Sequence, residues 1–293
     1  MAEEVKNTMR EAFAKGDPEP PLKYQFLAEL VGTFLLLWIG DMSIATAFMG
    51  PSGTALFQIV MGWFFAVCLP IYAIGGISGA HINPAVTIAL WATKRFPGKK
   101  VIPYIVAQFI GAFLGAFFTW LFWHGVWNYH AVSWSQILNC HYPNPAVFPA
   151  AYPKAWGGSA ADMAAAVAWA NAHWPLWLGY VIEFIMTFFL LFTIVTVTDT
   201  ESPGYSGWFA GFIIALYVGF ACFIDPQTMT CMNPARDWGP RVMGAILGYG
   251  GWEWPGMRWE IFMYIIPQIV GGVCAAFFYD KALKPYFKFL KEA

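Results

Sequence analysis

The chain has 293 residues, of which 59% are hydrophobic, 19% aromatic and only 11% charged. Soluble domains carry about a quarter charged residues, so this composition indicates a polytopic membrane protein. The net charge of −1 indicates nothing about partners, but the basic residues form no continuous stripe, which argues against nucleic-acid binding.

The predicted elements begin with a polar segment. Residues 1–23 mix Glu, Lys and Pro without an apolar centre, which predicts a cytosolic tail rather than a signal peptide. Six apolar segments of transmembrane length follow, at residues 22–49, 56–77, 101–123, 176–198, 207–224 and 261–279. Residues 125–175 are expected to form a long external loop, with a short interfacial helix at 161–171, and residues 281–293 a second cytosolic tail.

A short motif, Asn83-Pro84-Ala85, follows the second apolar segment and recurs 150 residues later as Asn233-Pro234-Ala235. Asparagine at the N-cap and proline at the first helical position are strong signals for the start of a helix. Each motif opens only a short helical pattern, predicted at 83–96 and 233–247. Such a helix covers about half of a ~30 Å hydrocarbon core, so two of them meeting at their caps would cross it together.

The two halves of the chain repeat. Glu29 precedes the first motif and Glu183 the second by similar distances, 54 and 50 residues. Three spans per half is an odd number, so the second half must be inverted relative to the first. The predicted fold is an all-α integral membrane protein with six transmembrane helices and two re-entrant half-helices, built from residues 24–124 and 176–280. A third motif at 144–147 is surrounded by prolines and is assigned to the external loop.

Lysine and arginine set the predicted orientation. They concentrate in the N-terminal tail, in the loop after the first half-helix and in the C-terminal tail, whereas the opposite face holds little beyond Lys154 and Arg258. Because basic residues favour the cytoplasmic side, both termini are expected there.

The doubled motif, over roughly residues 24–280, resembles the aquaporin superfamily, also called the major intrinsic proteins. The second copy, Asn233-Pro234-Ala235-Arg236-Asp237, resembles the glycerol-conducting branch. The resemblance implies a homotetramer in the plasma or inner membrane, with one pore per subunit and no cofactor. It also implies a passive channel for glycerol and related small uncharged solutes (polyols, possibly urea) together with water, which excludes ions and protons.

Arg236 breaks the symmetry between the halves, because its counterpart is Val86. A charge inside a membrane needs a wet lumen or a partner, so Arg236 is predicted either to line the pore or to pair with Asp237. The two asparagines, Asn83 and Asn233, are predicted to point amide N–H groups into the lumen, where both helix dipoles are positive.

The resemblance places three further side chains beside Arg236 in a constriction: Trp63, Ala221 and Thr230. Trp63 suits the carbon backbone of a polyol, although a tryptophan in so Trp-rich a chain also fits a lipid- or core-facing position. Thr230 departs from the glycerol branch, where an aromatic is common, and is expected to widen and polarise the constriction.

The residues before each motif are predicted to be non-helical and to line a wet cavity with their carbonyls. They are Gly79, Ala80, His81, Thr230, Cys231 and Met232. His81 fits either a pore-facing or a structural role. Glu29 and Glu183 fit a proton relay, or more simply a scaffold that accepts hydrogen bonds from these non-helical segments, while Pro84, Pro234 and Asp237 support the same region.

No nucleophile, phosphate loop or metal-ligand spacing is visible, so the chain is not expected to be an enzyme. The five cysteines show no CxxC spacing, which argues against a metal site or a disulfide. Two alternatives to a passive channel remain: a proton-coupled secondary transporter that uses Glu29 and Glu183, and a structural membrane protein that barely conducts.

Overall fold

The computed structural model describes residues 5–14, 16–49, 55–127, 138, 140, 172–173, 175–202, 205–225, 227–247 and 260–292, and all regular structure in these ranges is helical. The motif at 144–147 and the interfacial helix expected at 161–171 lie outside the described residues. Five described helices are long and apolar enough to cross a membrane.

The first half contains α1 (Thr8–Phe13), α2 (Leu22–Met49), α3 (Ala55–Ser78), α4 (Pro84–Ala92) and α5 (Val101–Trp127). The second half contains α6 (Leu176–Thr198), α7 (Ala210–Ile224), α8 (Pro234–Ile246), α9 (Glu260–Met263), α10 (Ile266–Phe278) and α11 (Lys284–Glu292). The two short helices that follow the motifs are therefore α4 and α8. A 3-10 turn at Gly207–Phe209 precedes α7, and a π-helical turn at Tyr279–Leu283 joins α10 to α11.

Two predicted boundaries are wrong. The first half-helix ends at Ala92, four residues before the predicted end at 96, because Thr93 caps it and Lys94 adopts a left-handed conformation with φ of 59°. The sixth span is not one helix over 261–279 but two, α9 and α10. Pro267 stands at the start of α10, and a residue before proline disfavours the helical conformation, which accounts for the break.

Both predicted tails contain helices. Most of the C-terminal tail is the helix α11. Within the N-terminal tail, α1 is packed against α3, α6 and the turn at Gly207–Phe209. Met9 and Ala12 of α1 are buried, so this segment is part of the folded core rather than a free extension.

The halves interlock through their third spans. In the first half α2 packs on α3 and α5, and in the second half α6 packs on α7 and α10. The half-helices then cross over, since α4 packs on α10 and α8 packs on α5. Each half therefore completes its packing with a helix of the other, which brings the starts of α4 and α8 to the centre of the molecule.

Two glycines in equivalent positions allow this close packing. A methyl group built on Gly111 of α5 would overlap the carbonyl oxygen of Leu30, and one built on Gly271 of α10 would overlap that of Phe184. Leu30 follows Glu29 and Phe184 follows Glu183, so the contact obeys the inverted repeat. Small residues at helix crossings let backbones approach closely where the hydrophobic effect cannot drive helices together.

We expect Gly271→Ala to destabilise the protein by about 1–3 kcal/mol, because the added methyl forces α10 away from α6. The measurement is the thermal unfolding of the purified protein in detergent. Gly125→Ala is the matched control: Gly125 is also helical, and a Cβ there meets no atom within 4 Å. An equal loss in both variants would contradict the close-packing role of Gly271.

Candidate functional site

The two Asn-Pro-Ala motifs meet at the centre of the molecule, as the sequence predicts. The Asn83 side chain donates from Nδ2 to the Met232 carbonyl at 2.8 Å, and Asn233 donates to the Ile82 carbonyl at 2.9 Å. Each asparagine oxygen caps its own helix, accepting from the N–H of Ala85 or Ala235. One amide hydrogen of each asparagine is therefore committed to the opposite motif, and one remains for the space between them.

Glu29 holds the segment before the first motif. Its Oε1 accepts from Ser78 Oγ at 2.7 Å and from the His81 N–H at 2.9 Å. Its Oε2 accepts from the Ile82 N–H at 2.7 Å and from Gln108 Nε2 at 2.8 Å. Four donors around a fully buried carboxylate compensate its removal from water.

Glu183 holds the segment before the second motif in the same way. It accepts from the Cys231 N–H at 3.2 Å, the Met232 N–H at 3.0 Å and Gln268 Nε2 at 2.7 Å. Both carboxylates therefore bind the two N–H groups immediately before the motif asparagine.

The backbone of the two segments is also alike. Ala80 and Ile82, three residues and one residue before Asn83, have φ of 52° and 43°. Thr230 and Met232, at the same positions before Asn233, have φ of 50° and 51°. Positive φ is uncommon for residues other than glycine and costs on the order of 1–3 kcal/mol, which the buried carboxylates offset by binding the N–H groups.

Gln108 and Gln268 were missed by the sequence analysis. Each glutamine donates to the buried glutamate of its own half and lies three residues before the glycine at the helix crossing. The signal was present as a repeated Gln-x-x-Gly, at Gln108–Gly111 and Gln268–Gly271. A pattern of two residues in each of two long apolar helices is too short to be recognised from the sequence alone, and only the packing of these helices shows its role.

Arg236 lies against Trp63, not against Asp237. Its guanidinium carbon is 4.6 Å from the centre of the Trp63 ring, and its NH1 donates to the Leu138 carbonyl. Asp237 instead accepts from Arg241 Nε at 2.6 Å and from the Cys140 N–H at 2.9 Å. The predicted alternative of an Arg236–Asp237 ion pair is therefore not what the structure shows.

Thr230 is turned towards the backbone of its own loop. Its hydroxyl donates to the carbonyl of Asp225, and the carbonyl of Ala221 lies 3.4 Å away. The Asp225 side chain in turn accepts from the N–H and the hydroxyl of Thr228, which fixes the turn between α7 and the second motif. Because the only hydroxyl proton of Thr230 is committed, this hydroxyl can act towards a solute only as an acceptor, and its polarising effect on the constriction stays a prediction.

A narrow cavity of about 50 Å³ runs between the two halves. At roughly 10–15 Å³ for each water, this volume holds about four water molecules. Most of the predicted pore residues border it, namely Trp63, Ala80, His81, Asn83, Thr230, Cys231, Met232, Asn233 and Arg236. Gly79 and Ala221 do not: Gly79 lies against α1, and α7 contributes Ile214 and Val218 instead.

His81 borders this cavity. Its Nδ1 lies 3.2 Å from the Thr87 hydroxyl, and the ring packs on Phe96 and Tyr104. Among the described residues Nε2 has no partner. The ring is thus held in place by Thr87 at Nδ1 and by two aromatic neighbours.

Two further groups lie near Arg236. Asp41 is fully buried and neither of its oxygens has a hydrogen-bond partner within the described ranges. Cys140 and Cys231 bring their sulfur atoms within 4.8 Å of each other and of an Asp237 oxygen, an approach across 91 residues that sequence spacing does not reveal. The Asp237 carboxylate already accepts from Arg241 and Cys140, and this positive surrounding disfavours a divalent cation.

Comparisons with known proteins agree with this geometry. The model of the family described as major intrinsic protein matches residues 19–279. The chain is 32% identical over 270 residues to the glycerol uptake facilitator protein of Haemophilus influenzae, covering 89% of this chain and 94% of that protein. It is 35% identical over 287 residues to the probable aquaporin AqpM of Archaeoglobus fulgidus, covering 90% and 98%.

The fold is similar to the X-ray structure of the aquaglyceroporin from Plasmodium falciparum, with a TM-score of 0.74 and 24% identity over 92% of this chain and 100% of that one. The family match covers most of the chain, and the inverted halves, paired caps and buried glutamates account for it physically. The chain is therefore a member of the major intrinsic protein family, in its aquaporin and glycerol facilitator branch.

Proposed function

We propose that the chain is a passive channel for glycerol and other small uncharged solutes, with water as co-permeant. The observation that carries the proposal is the cavity between the halves. It is bordered by both motif asparagines and by Arg236, and no acidic side chain borders it among the described residues. The names of the relatives, a glycerol uptake facilitator and a probable aquaporin, support the same conclusion.

The width and the charge of this cavity would determine which solutes pass through the channel. Trp63 offers an apolar face to a carbon chain, and Arg236 beside it offers N–H donors to hydroxyl groups, a division that suits an amphipathic polyol. The positive ends of α4 and α8 and the Arg236 charge oppose cations and protons, as is general for pores of the aquaporin type. Exclusion of ions is therefore part of the proposal.

The buried glutamates support a channel over a proton-coupled transporter. Each carboxylate accepts hydrogen bonds from the two N–H groups before its motif and from a glutamine. A relay residue must exchange protons with the pathway, whereas these oxygens are occupied by donors and do not border the cavity. Glu29 and Glu183 are therefore proposed as scaffold residues.

We further propose that both termini lie in the cytoplasm, that residues 24–124 and 176–280 form the two inverted halves, and that the protein is a homotetramer in the plasma or inner membrane. The distribution of lysine and arginine supports the orientation. Family resemblance supports the tetramer, and cross-linking in native membranes tests it.

The test of function is stopped-flow light scattering on proteoliposomes in gradients of glycerol, larger polyols, urea and water. We expect glycerol and water to equilibrate faster than in empty liposomes, with no accumulation when a pH gradient is imposed. Glycerol accumulation driven by the pH gradient would instead favour the transporter. Rates equal to those of empty liposomes for every solute would favour a structural protein.

Thr230→Phe tests the assignment of the constriction. A phenyl ring beside Arg236 narrows the passage and restores an aromatic wall, so we expect the ratio of glycerol to urea rates to rise by about tenfold. Thr230→Val is the control, because it removes only the hydroxyl, whose proton is bonded to the loop backbone. Equal shifts in both variants would contradict the steric explanation.

A further inference from the structure

We propose that α1 is a plug that closes the pore at the end nearest the N-terminus, with the Met9 side chain as the part that enters the lumen. This inference rests on the pore proposed above and adds a means of regulating it. It makes the N-terminal segment a mobile component of the channel rather than a passive tail.

The position of Met9 is the first observation. Met9 borders the same cavity as Asn83 and Arg236, although it comes from a separate helix at the start of the chain. It is only 1% exposed, and Ile71, His81 and Ile194, which border the cavity as well, are each 2% exposed. A thioether side chain is flexible and fills irregular gaps, which suits a plug. With α1 in place, these four side chains are shielded from solvent.

The attachment of α1 is the second observation. Asn7 Nδ2 donates to the Ser78 carbonyl at 2.6 Å, and Arg10 Nε donates to the Gly76 carbonyl at 2.9 Å. These carbonyls belong to the last turn of α3, where no helical N–H is available to them. The same Arg10 guanidinium donates to the carbonyls of Asp17 and Pro18, which turns the chain back towards α2. The end of α3 at Gly76 and Ser78, which we call the mouth of the pore, thus offers carbonyl acceptors, and Asn7 and Arg10 donate hydrogen bonds to them.

Gly79 is the third observation. It has φ of 93°, and a Cβ at this position would lie 3.0 Å from both the Arg10 nitrogen and the Asn7 Oδ1. The sequence predicts Gly79 in the pore wall, but the structure places it where the residues between α3 and the first motif meet α1. A side chain there would push α1 out of the mouth, so this position is compatible with the plug because it is glycine.

The attachment is suited to reversible release. A helix of six residues is not stable by itself in water, so α1 keeps its shape only while it is docked. All its contacts with the rest of the protein are non-covalent: the hydrogen bonds of Asn7 and Arg10 to α3, a bond from the Thr8 N–H to the Arg95 carbonyl, and the packing of Met9, Ala12 and Phe13. The channel is then a two-state system in which flux is proportional to the fraction of molecules with α1 released.

The first experiment weakens the plug. We expect Met9→Ala and Arg10→Ala to raise the glycerol rate of proteoliposomes by about tenfold or more, because each shifts the equilibrium towards release. Glu11→Ala is the matched control, since Glu11 lies on the same helix with its side chain 42% exposed. The control is expected to conduct like the unmodified protein.

The second experiment locks the plug. A Cβ built on Gly76 lies 3.5 Å from the Ala14 Cβ, a separation that a disulfide spans. In the double variant Ala14→Cys with Gly76→Cys, mild oxidation should reduce glycerol flux below that of the unmodified protein, and a thiol reductant should restore it. Each single variant controls for oxidation of the native cysteines.

A third measurement does not depend on the transported solute. Val67 borders the cavity on α3, one helical turn before Ile71. In a Val67→Cys background, a membrane-impermeant thiol reagent added on the side of the N-terminus should react faster when Met9→Ala is also present. Unchanged labelling, together with no effect of the lock, would overturn the plug. Faster labelling without any glycerol or water flux would support the plug and overturn the proposed channel function.

Discussion

Replacing Glu183 with leucine is expected to remove most of the folded protein. Glu183 is fully buried and accepts from the Cys231 N–H, the Met232 N–H and Gln268. Leucine leaves all three donors without a partner, at about 1–3 kcal/mol each. The sum is comparable to the entire stability of a typical domain, about 5–15 kcal/mol. The measurement is the yield of monodisperse protein and its unfolding temperature in detergent.

Two companion variants make this result specific. Thr187→Val changes another fully buried polar side chain one turn further along α6, and Thr187 Oγ1 has no hydrogen-bond partner in the part of the chain described. It should therefore be nearly neutral. Glu183→Gln keeps one acceptor oxygen and should be intermediate. A stable Glu183→Leu variant would contradict the scaffold role and reopen the proton relay.

Arg236→Val is expected to have the largest effect on selectivity. The substitution makes the second motif match the first, where Val86 occupies the equivalent position. It removes a buried charge that packs on the Trp63 ring and donates to the Leu138 carbonyl, so the constriction becomes wider and loses its hydroxyl-binding donors. We expect the permeation rates of urea and of larger polyols, each divided by the rate of glycerol, to rise by about tenfold or more. Stopped-flow rates for the three solutes measure it.

Arg236→Lys separates the charge from the geometry. Lysine keeps the positive charge but lacks the planar fork that donates several hydrogen bonds at once. We expect this variant to retain low cation leakage, measured with an ion-sensitive dye, while it loses part of its preference for glycerol. Arg236→Val should leak measurably more. Identical selectivity in the two variants and the unmodified protein would show that Arg236 does not border the path of the solutes.

The sequence determined the architecture because the relevant signals are local. Apolar length marks the spans, and an asparagine followed by proline marks each half-helix whatever surrounds it. The similar spacing of Glu29 and Glu183 from their motifs, 54 and 50 residues, indicated the repeat, and the odd number of spans in each half indicated its inversion. Contacts between the halves then followed from topology alone, and the hydrogen bonds of Asn83 and Asn233 to the opposite motifs confirm that inference.

Only the tertiary structure decided which side chains face the cavity and which partners they take. Asp237 pairs with Arg241, Thr230 turns its hydroxyl to the backbone, and Gln108 meets Glu29 across 79 residues. The family resemblance predicts Ala221 in the pore wall, whereas the packing of α7 presents Val218 there.

The docking of α1 was beyond the sequence for the same reason. A polar segment of six helical residues carries no periodic signal of its own, and its burial depends on the Gly76 and Ser78 carbonyls that α3 leaves free at its end. The spacing of apolar residues along a segment predicts only whether that segment is a helix and which of its faces is buried. The pairing of particular atoms across distant segments depends on how those elements pack, and this is what the three-dimensional structure alone supplied.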